Sequence, residues 1–368
     1  MSELSDTLIV LGTAVVGTAV LTPVVRFLAF KVGAVVQPDE RRVHETPTAT
    51  LGGAAMFVSF LVAFAVASRL ETFSDVFSRT SEPLGVVVGG AIIFFVGALD
   101  DLRPVSAPAK IAGQVLAAST LYLLGVTLFF VRVPFVGVWG LSPDIVPLIT
   151  VFWVVLMANA INFIDGLDGL AAGIVAIAAG AFYLYSQELL DEGLITSANV
   201  GPLVALVAFG CCLGFLPHNF HPARIFMGDS GALLLGVLMA ASTMTTGGRV
   251  VDQFSGQVYF FFAPMIIPFV VLGVPLFDTA WAAIRRARQR VPMSQADKNH
   301  LHHRLMALGH GHRRSVLILW GWTALLSGVV LYPTITGDGD GVVPFAVAAL
   351  GLLLYTMFHG GIRRTASH

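Results

Sequence analysis

The sequence predicts an all-α, polytopic integral membrane protein of about eleven transmembrane helices, with its polar loops gathered on the cytoplasmic face. Three observations predict it. The 368 residues are 56% hydrophobic and only 12% charged, about half the charge share of a globular domain. Mean hydropathy is +0.83. The apolar residues fall in eleven runs, most near the roughly 20 residues that a helix needs to cross the hydrocarbon, broken by short loops that carry most of the ionisable groups.

The first run, roughly 6–30, follows the acidic "SELSD". It is too long for a cleavable signal and has no clear small-residue cleavage site. The second, 51–68, opens on Gly52-Gly53, and the third, 84–99, runs into "GALDDLRPVSAPAK". The fourth, 111–131, starts just after Lys110. The fifth, 145–161, and the sixth, 169–187, are joined through "NAINFIDGLDGLAAG". The seventh, 199–217, contains Cys211 and Cys212, adjacent residues that form no disulfide framework. "HNFHPARIFMGDSGALLLG" leads into the eighth, 231–247. The ninth, 258–281, is followed by the basic "RRARQR", and the tenth, 315–333, is preceded by "KNHLHHRLMALGHGHRR". The eleventh is 342–358. No low-complexity segment or soluble domain interrupts the series, so residues 1–368 read as one membrane domain.

Positive charge sets the orientation. Of 21 Lys and Arg, 17 fall in the odd-numbered loops and the C-terminal tail and four in the even ones. This places the odd loops in the cytoplasm, the N-terminus outside and the C-terminus inside. All ten histidines then lie on the cytoplasmic side, with Asp100, Asp101, Asp165, Asp168 and Asp229.

Those residues suggest chemistry. Adjacent carboxylates such as Asp100 and Asp101 repel, which raises one pKa or demands a cation; Lys110 is nearby, and a solvated loop with a salt bridge is the plainer reading. Asn159, Asn162 and Asp165 recur every three residues and share a face if the helix continues through them. Gly166 and Gly169 permit a tight turn, and an open helix N-terminus there would attract an anion. Asp229 precedes an apolar helix, so it reads either as an N-cap or, with Asn219, His221, Arg224 and Phe226, as a metal ligand beside a nucleotide pocket. Scattered aspartates suit Mg²⁺ (or Mn²⁺), which takes few carboxylates plus phosphate oxygens. His300, His302 and His303 match no zinc spacing; with Arg304 they suit a pyrophosphate. Together these groups read as phosphoryl transfer between a soluble nucleotide and a lipid.

"DD", "NFIDGLDGL", "FMGDSG" and "HLHHRL", in this order and at these loops, resemble the polyprenyl-phosphate N-acetylhexosamine-1-phosphate transferase family over nearly the whole chain. The span count and the form of the histidine motif look like its UDP-GlcNAc:undecaprenyl-phosphate GlcNAc-1-phosphate branch. The resemblance implies a UDP-sugar donor, a polyprenyl-phosphate acceptor, UMP release and no nucleic-acid partner, in a bacterial inner (plasma) membrane; it admits a homodimer. It implies Asp229 as the Mg²⁺ ligand, Asp100 and Asp101 as the pair that deprotonates or orients the lipid phosphate, and Lys110 as a phosphate contact. Asn159, Asn162 and Asp165 resemble active-site polar groups. Gly166, Leu167 and Asp168 resemble the uridine segment, with Phe226 stacking on uracil and Asn219 nearby. His300, His302, His303 and Arg304 resemble the loop that reads sugar and pyrophosphate. One departure stands out: where the family often has Pro-Arg before the Gly-Gly pair, this chain has Ala49-Thr50, so a basic contact is missing there.

Two other classes explain less. A transporter with broken helices keeps its carboxylates near midplane, and no inverted repeat is evident. An aspartyl protease needs two facing aspartates, which leaves the DD pair and the histidines unexplained.

Overall fold

The computed structural model describes residues 3–37, 47–133, 137–247, 312–336 and 342–365. Among these, helices stand at ten of the eleven predicted runs; the run 258–281, the "RRARQR" stretch and His300, His302, His303 and Arg304 lie outside the described residues. The helices are α1 (Glu3–Val32), α2 (Gly53–Ala67), the short α3 (Ser74–Arg79), α4 (Glu82–Leu102), α5 (Ala107–Leu123), α6 (Val146–Ile164), α7 (Leu170–Asp191), α8 (Gly201–Asn219), α9 (Gly228–Gly247), α10 (His312–Thr336) and α11 (Val342–Thr365). Seven are long and apolar enough to cross a membrane alone, and the bent pair formed by α2 with Glu71–Arg79 makes up to eight. The chain is therefore a mostly helical, multi-pass membrane protein.

The fourth run departs from expectation. Its helix starts earlier and ends at Leu123, and Gly125, at φ +93°, turns the chain out of it. The following apolar stretch becomes β3 (Phe130–Val133), which pairs antiparallel with β4 (Gly137–Gly140). A second small ribbon joins β1 (Val35–Val36) to β2 (Thr48–Ala49), and Ala49 adds a parallel bridge to Ile225.

The bundle is built round α9. Every residue of α9 from Ser230 to Gly247 is buried, and α2, α4, α6, α7 and α8 pack against it. Small residues make that enclosure feasible, because helices come closest where no side chain intervenes. A Cβ on Gly236 would lie 2.4 Å from the Ala158 backbone, and one on Gly97 2.6 Å from the Asp229 carbonyl. By contrast α1 shows Leu8, Val16, Val20, Val24 and Phe27 to its surroundings. In water that stripe would be costly; against lipid it is not. The C-terminal ends of α4, α6 and α8 meet the N-terminal ends of α5, α7, α9 and α10 at one end of the bundle, where the polar chemistry collects.

Candidate functional site

The aspartate pair closes α4, just before Pro104 stops the helix. Adjacent helical side chains diverge by about 100°, and the two carboxylates go separate ways. Asp101 turns to the start of α9, accepting the N–H of Asp229 at 2.8 Å, the N–H of Ser230 at 3.2 Å and the Ser230 hydroxyl at 2.6 Å. It is thus an N-cap supplied from another helix. Asp229 is consequently no N-cap, and its carboxylate points elsewhere. Gly228, at φ +72°, permits the approach: a Cβ there would sit 2.4 Å from Asp101 Oδ2. Thr50 occupies the place where a basic residue was missed, and its hydroxyl stands 3.4 Å from Asp101 Oδ1.

Asp100 faces the other way. It accepts the Val105 N–H at 2.7 Å and the Lys110 ammonium at 2.8 Å. Lys110 also donates to Asp229 in a very close ion pair, and the Asn162 amide donates to the same oxygen of Asp229 at 3.1 Å. A lysine in the first turn of a helix opposes the helix dipole; here two carboxylates offset that cost. Each of these charged side chains is about one-fifth to one-quarter exposed: Lys110 21%, Asp100 19% and Asp229 24%.

Asp165 lies just beyond α6 and breaks the expected continuous face, its ψ of 48° ending the helix. Burial, with the nearby charges of Asp229, Asp101 and Asp168, pushes its carboxyl up to about 8. Asn159 sits one turn inward of Asn162 and exchanges amide hydrogen bonds with Gln114 at 2.7 and 3.3 Å. Gln114 was not foreseen, yet its spacing of four residues from Lys110 on an apolar helix signals it.

The structure therefore gathers Asp100, Asp101, Lys110, Asn162, Asp165 and Asp229 into one cluster. Among the described residues, its four carboxylates share one bonded cation, Lys110. The donor set is hard oxygen, suited to Mg²⁺ and not to zinc. Asp229, Asp100 and Asp165 are the residues fit to hold Mg²⁺.

The turn carrying Gly166, Leu167 and Asp168 lies between α6 and α7, next to this cluster. Asp168, 2% exposed, accepts His221 Nδ1–H at 2.7 Å and the Ala223 N–H at 3.0 Å. Its own N–H donates to His312 Nε2 at 3.0 Å. Asn219, also 2% exposed, accepts the Gly169 N–H and donates to the Ile225 carbonyl, both at 3.0 Å. The open helix N-terminus expected here is thus filled by protein: Gly169 and the first turn of α7 are buried, and Asn219 takes the place of an anion. Leu167 is buried, whereas Gly166 is exposed. Phe226 is half-buried on a strand-like clasp, donating its N–H to Ala49 and accepting from Gly52. His312 escaped the sequence reading, although it ends the "GHGH" repeat at the mouth of the tenth run.

The family described as Glycosyl transferase family 4 matches residues 83–247, from α4 to α9. A decaprenyl-phosphate N-acetylglucosaminephosphotransferase of Mycobacterium tuberculosis (strain ATCC 25618 / H37Rv) is 41% identical over 320 residues, 86% of this chain and 79% of that protein. The chain belongs to glycosyl transferase family 4. Within this family, the protein of the same name from Mycolicibacterium smegmatis is 38% identical over 94% of this chain and 86% of its own length. The probable undecaprenyl-phosphate N-acetylglucosaminyl 1-phosphate transferase of Bacillus subtilis is 38% identical, covering 85% and 81%. All members of the carboxylate cluster lie inside the family match; His312 lies beyond it.

Proposed function

We propose that this family 4 glycosyltransferase moves GlcNAc-1-phosphate from UDP-GlcNAc to a polyprenyl phosphate, undecaprenyl or decaprenyl, and releases UMP. One observation carries the reading: a cluster of four carboxylates, with Lys110 the one cation bonded to it among the described residues, at one end of an apolar bundle, where a soluble nucleotide and a lipid phosphate can meet. An oxygen of the lipid phosphate attacks the β-phosphorus of the donor; the new P–O bond forms as the bond from β-phosphorus to the bridging oxygen breaks, and that oxygen leaves with UMP. Mg²⁺, or Mn²⁺, supplies charge neutralisation for the pyrophosphate. Asp229 is its protein ligand, with Asp100 and Asp165 close by. Lys110, released from Asp100 or Asp229, has a phosphate to bind, and Asn162 steadies Asp229. Asp101 holds the start of α9. Phe226 and Gly166 offer a ring and an open backbone to the uracil, while His300, His302, His303 and Arg304 contact sugar and pyrophosphate.

In this reading one membrane domain has eleven spans, the N-terminus is outside, and the cluster faces the cytoplasm of a bacterial plasma membrane. The 17-to-four bias of Lys and Arg supports that orientation. The transporter alternative fits less well, because the carboxylates sit at one end of the helices and not at their middle. The test is UMP release by purified protein with Mg²⁺, a polyprenyl phosphate and a panel of UDP-sugars. UDP-GlcNAc should give the fastest release, dependent on both lipid and metal. Release without lipid, or none with any UDP-sugar, overturns the proposal.

A further inference from the structure

We infer that His312, through Asp168 and His221, is a positioning residue that latches the two loops flanking the donor site. The inference rests on the transferase reading for its assay and on geometry for its content. Three separate parts of the chain meet at Asp168: its own connection between α6 and α7, the connection between α8 and α9, and the start of α10. His312 accepts the Asp168 N–H through Nε2 at 3.0 Å, and its ring stacks on His221 at 4.3 Å with the planes 20° apart. His221 donates to the Asp168 carboxylate at 2.7 Å, and the neighbouring Arg313 donates from Nε to the His221 carbonyl at 3.2 Å. The latch thus grips both loops from a helix that belongs to neither.

Position gives the latch its consequence. Asp168 follows Asp165 by three residues, and His221 precedes Phe226 by five and Asp229 by eight. Moving the first of these loops shifts Asp165, and moving the second shifts the half-buried Phe226 ring and Asp229. Asn219 makes a second tie between the same loops through Gly169, so the latch adjusts their spacing and is not needed for the fold.

A metal is the obvious rival, since ligand atoms of Asp168, His221 and His312 all lie within 4.8 Å of one another. The geometry speaks against it. Imidazole lone pairs lie in the ring plane, so two nearly parallel rings do not aim at one ion. His312 Nε2 is moreover taken by an amide N–H, and the proton of His221 Nδ1 by the carboxylate.

The experiment compares UMP release kinetics of wild type with His312→Ala, His312→Gln, His312→Phe and His221→Ala. His312→Ala should raise KM for UDP-GlcNAc by on the order of tenfold, with kcat changed by less than about threefold, the mark of lost ground-state and transition-state binding alike. Gln puts an amide oxygen near the place of Nε2 and should restore most of the affinity. Phe keeps the stack without the acceptor and should not. The His221→Ala, His312→Ala double variant should lose far less than the product of the single losses, because both act through one latch. An unchanged KM in the Ala variant, or in the Phe variant should Ala not fold, overturns the inference. So do additive losses, or stoichiometric zinc in wild type whose removal abolishes activity. Failure of the wild type to release UMP would instead count against the transferase reading; titration calorimetry with UDP then decides the latch, by a weaker affinity in His312→Phe than in wild type.

Discussion

Asp101 offers the sharpest quantitative test. Replacement by Ala strips the start of α9 of three hydrogen bonds, to the N–H groups of Asp229 and Ser230 and to the Ser230 hydroxyl. Ser230 is fully buried, so water does not readily replace the acceptor. An N-cap lost to Ala costs about 0.5–2 kcal/mol, and a hydrogen bond to a charged group is worth about 1.5–3 kcal/mol. These overlap, so about 3 kcal/mol is expected for Asp101→Ala. Asp101→Asn keeps one oxygen for an N–H and can donate its amide to the Ser230 hydroxyl, so about 1 kcal/mol is expected. Thermal unfolding of the detergent-solubilised protein, followed by tryptophan fluorescence, should rank wild type above Asn above Ala, by several degrees between the extremes. With the Asp229 backbone no longer held, the Ala variant should also need more Mg²⁺ for half-maximal UMP release. If it melted with wild type and kept the same Mg²⁺ requirement while losing turnover, Asp101 would be a chemical group and the capping argument would fail.

Asp229→Asn should lose turnover by on the order of 10²-fold or more while remaining folded, as removal of one electrostatic stabiliser does; normal turnover would move the metal to Asp100 or Asp165. Asp165 makes stability depend on pH. Its carboxyl stands at about 8 in the fold against an ordinary 3.8, so the folded state holds the extra proton, and the contribution present below about pH 4 is lost as pH rises to about 8. Unfolding measured across that range without divalent cations should show this slope, Asp165→Asn should flatten it, and Mg²⁺ should flatten it in wild type; a slope indifferent to both refutes the assignment. For topology, a cysteine at Ser2 should react with an impermeant thiol reagent from outside and one at Ser367 should not. The native Cys211 and Cys212 are buried and leave the background low; the reverse pattern would invert the orientation.

The meeting of Asp100, Asp101, Asp165, Asp168 and Asp229 at one end was legible in the sequence, because alternating spans assign every second loop to the same face. Their division of labour was not. Adjacent letters give Asp100 and Asp101 the same prospects; only the packing of α9 against α4, through Gly97 and Gly228, sends one to cap a helix and the other to Lys110. Asn219 and Asp168 read as ligand contacts through the family resemblance, and their buried ties between the two loops depend on contacts 50 and 53 residues apart that the sequence does not display. The hairpin at 130–140 escaped because a short apolar run fits strand or helix equally by hydropathy; what separates them is the positive φ of Gly125. His312 stands in the sequence only as one more histidine before the tenth run, and nothing in its spacing joins it to Asp168, 144 residues away.

Membrane enzymes inherit the moods of their bilayer. Thickness and lateral pressure act on the helices that touch lipid, tilting them to match the hydrocarbon. In this protein the helix carrying Asp229 touches none: α9 is walled in from Ser230 to Gly247. Its foot is fixed by a carboxylate from α4, and Gly97 and Gly236 let α4 and α6 press their backbones close to it. Such a post is a fixed reference, against which α1 can lean with the surrounding lipid while the carboxylate keeps its address. Turnover should therefore respond to lipid composition through acceptor supply far more than through bilayer thickness, and the chemistry would travel unchanged between membranes of different build.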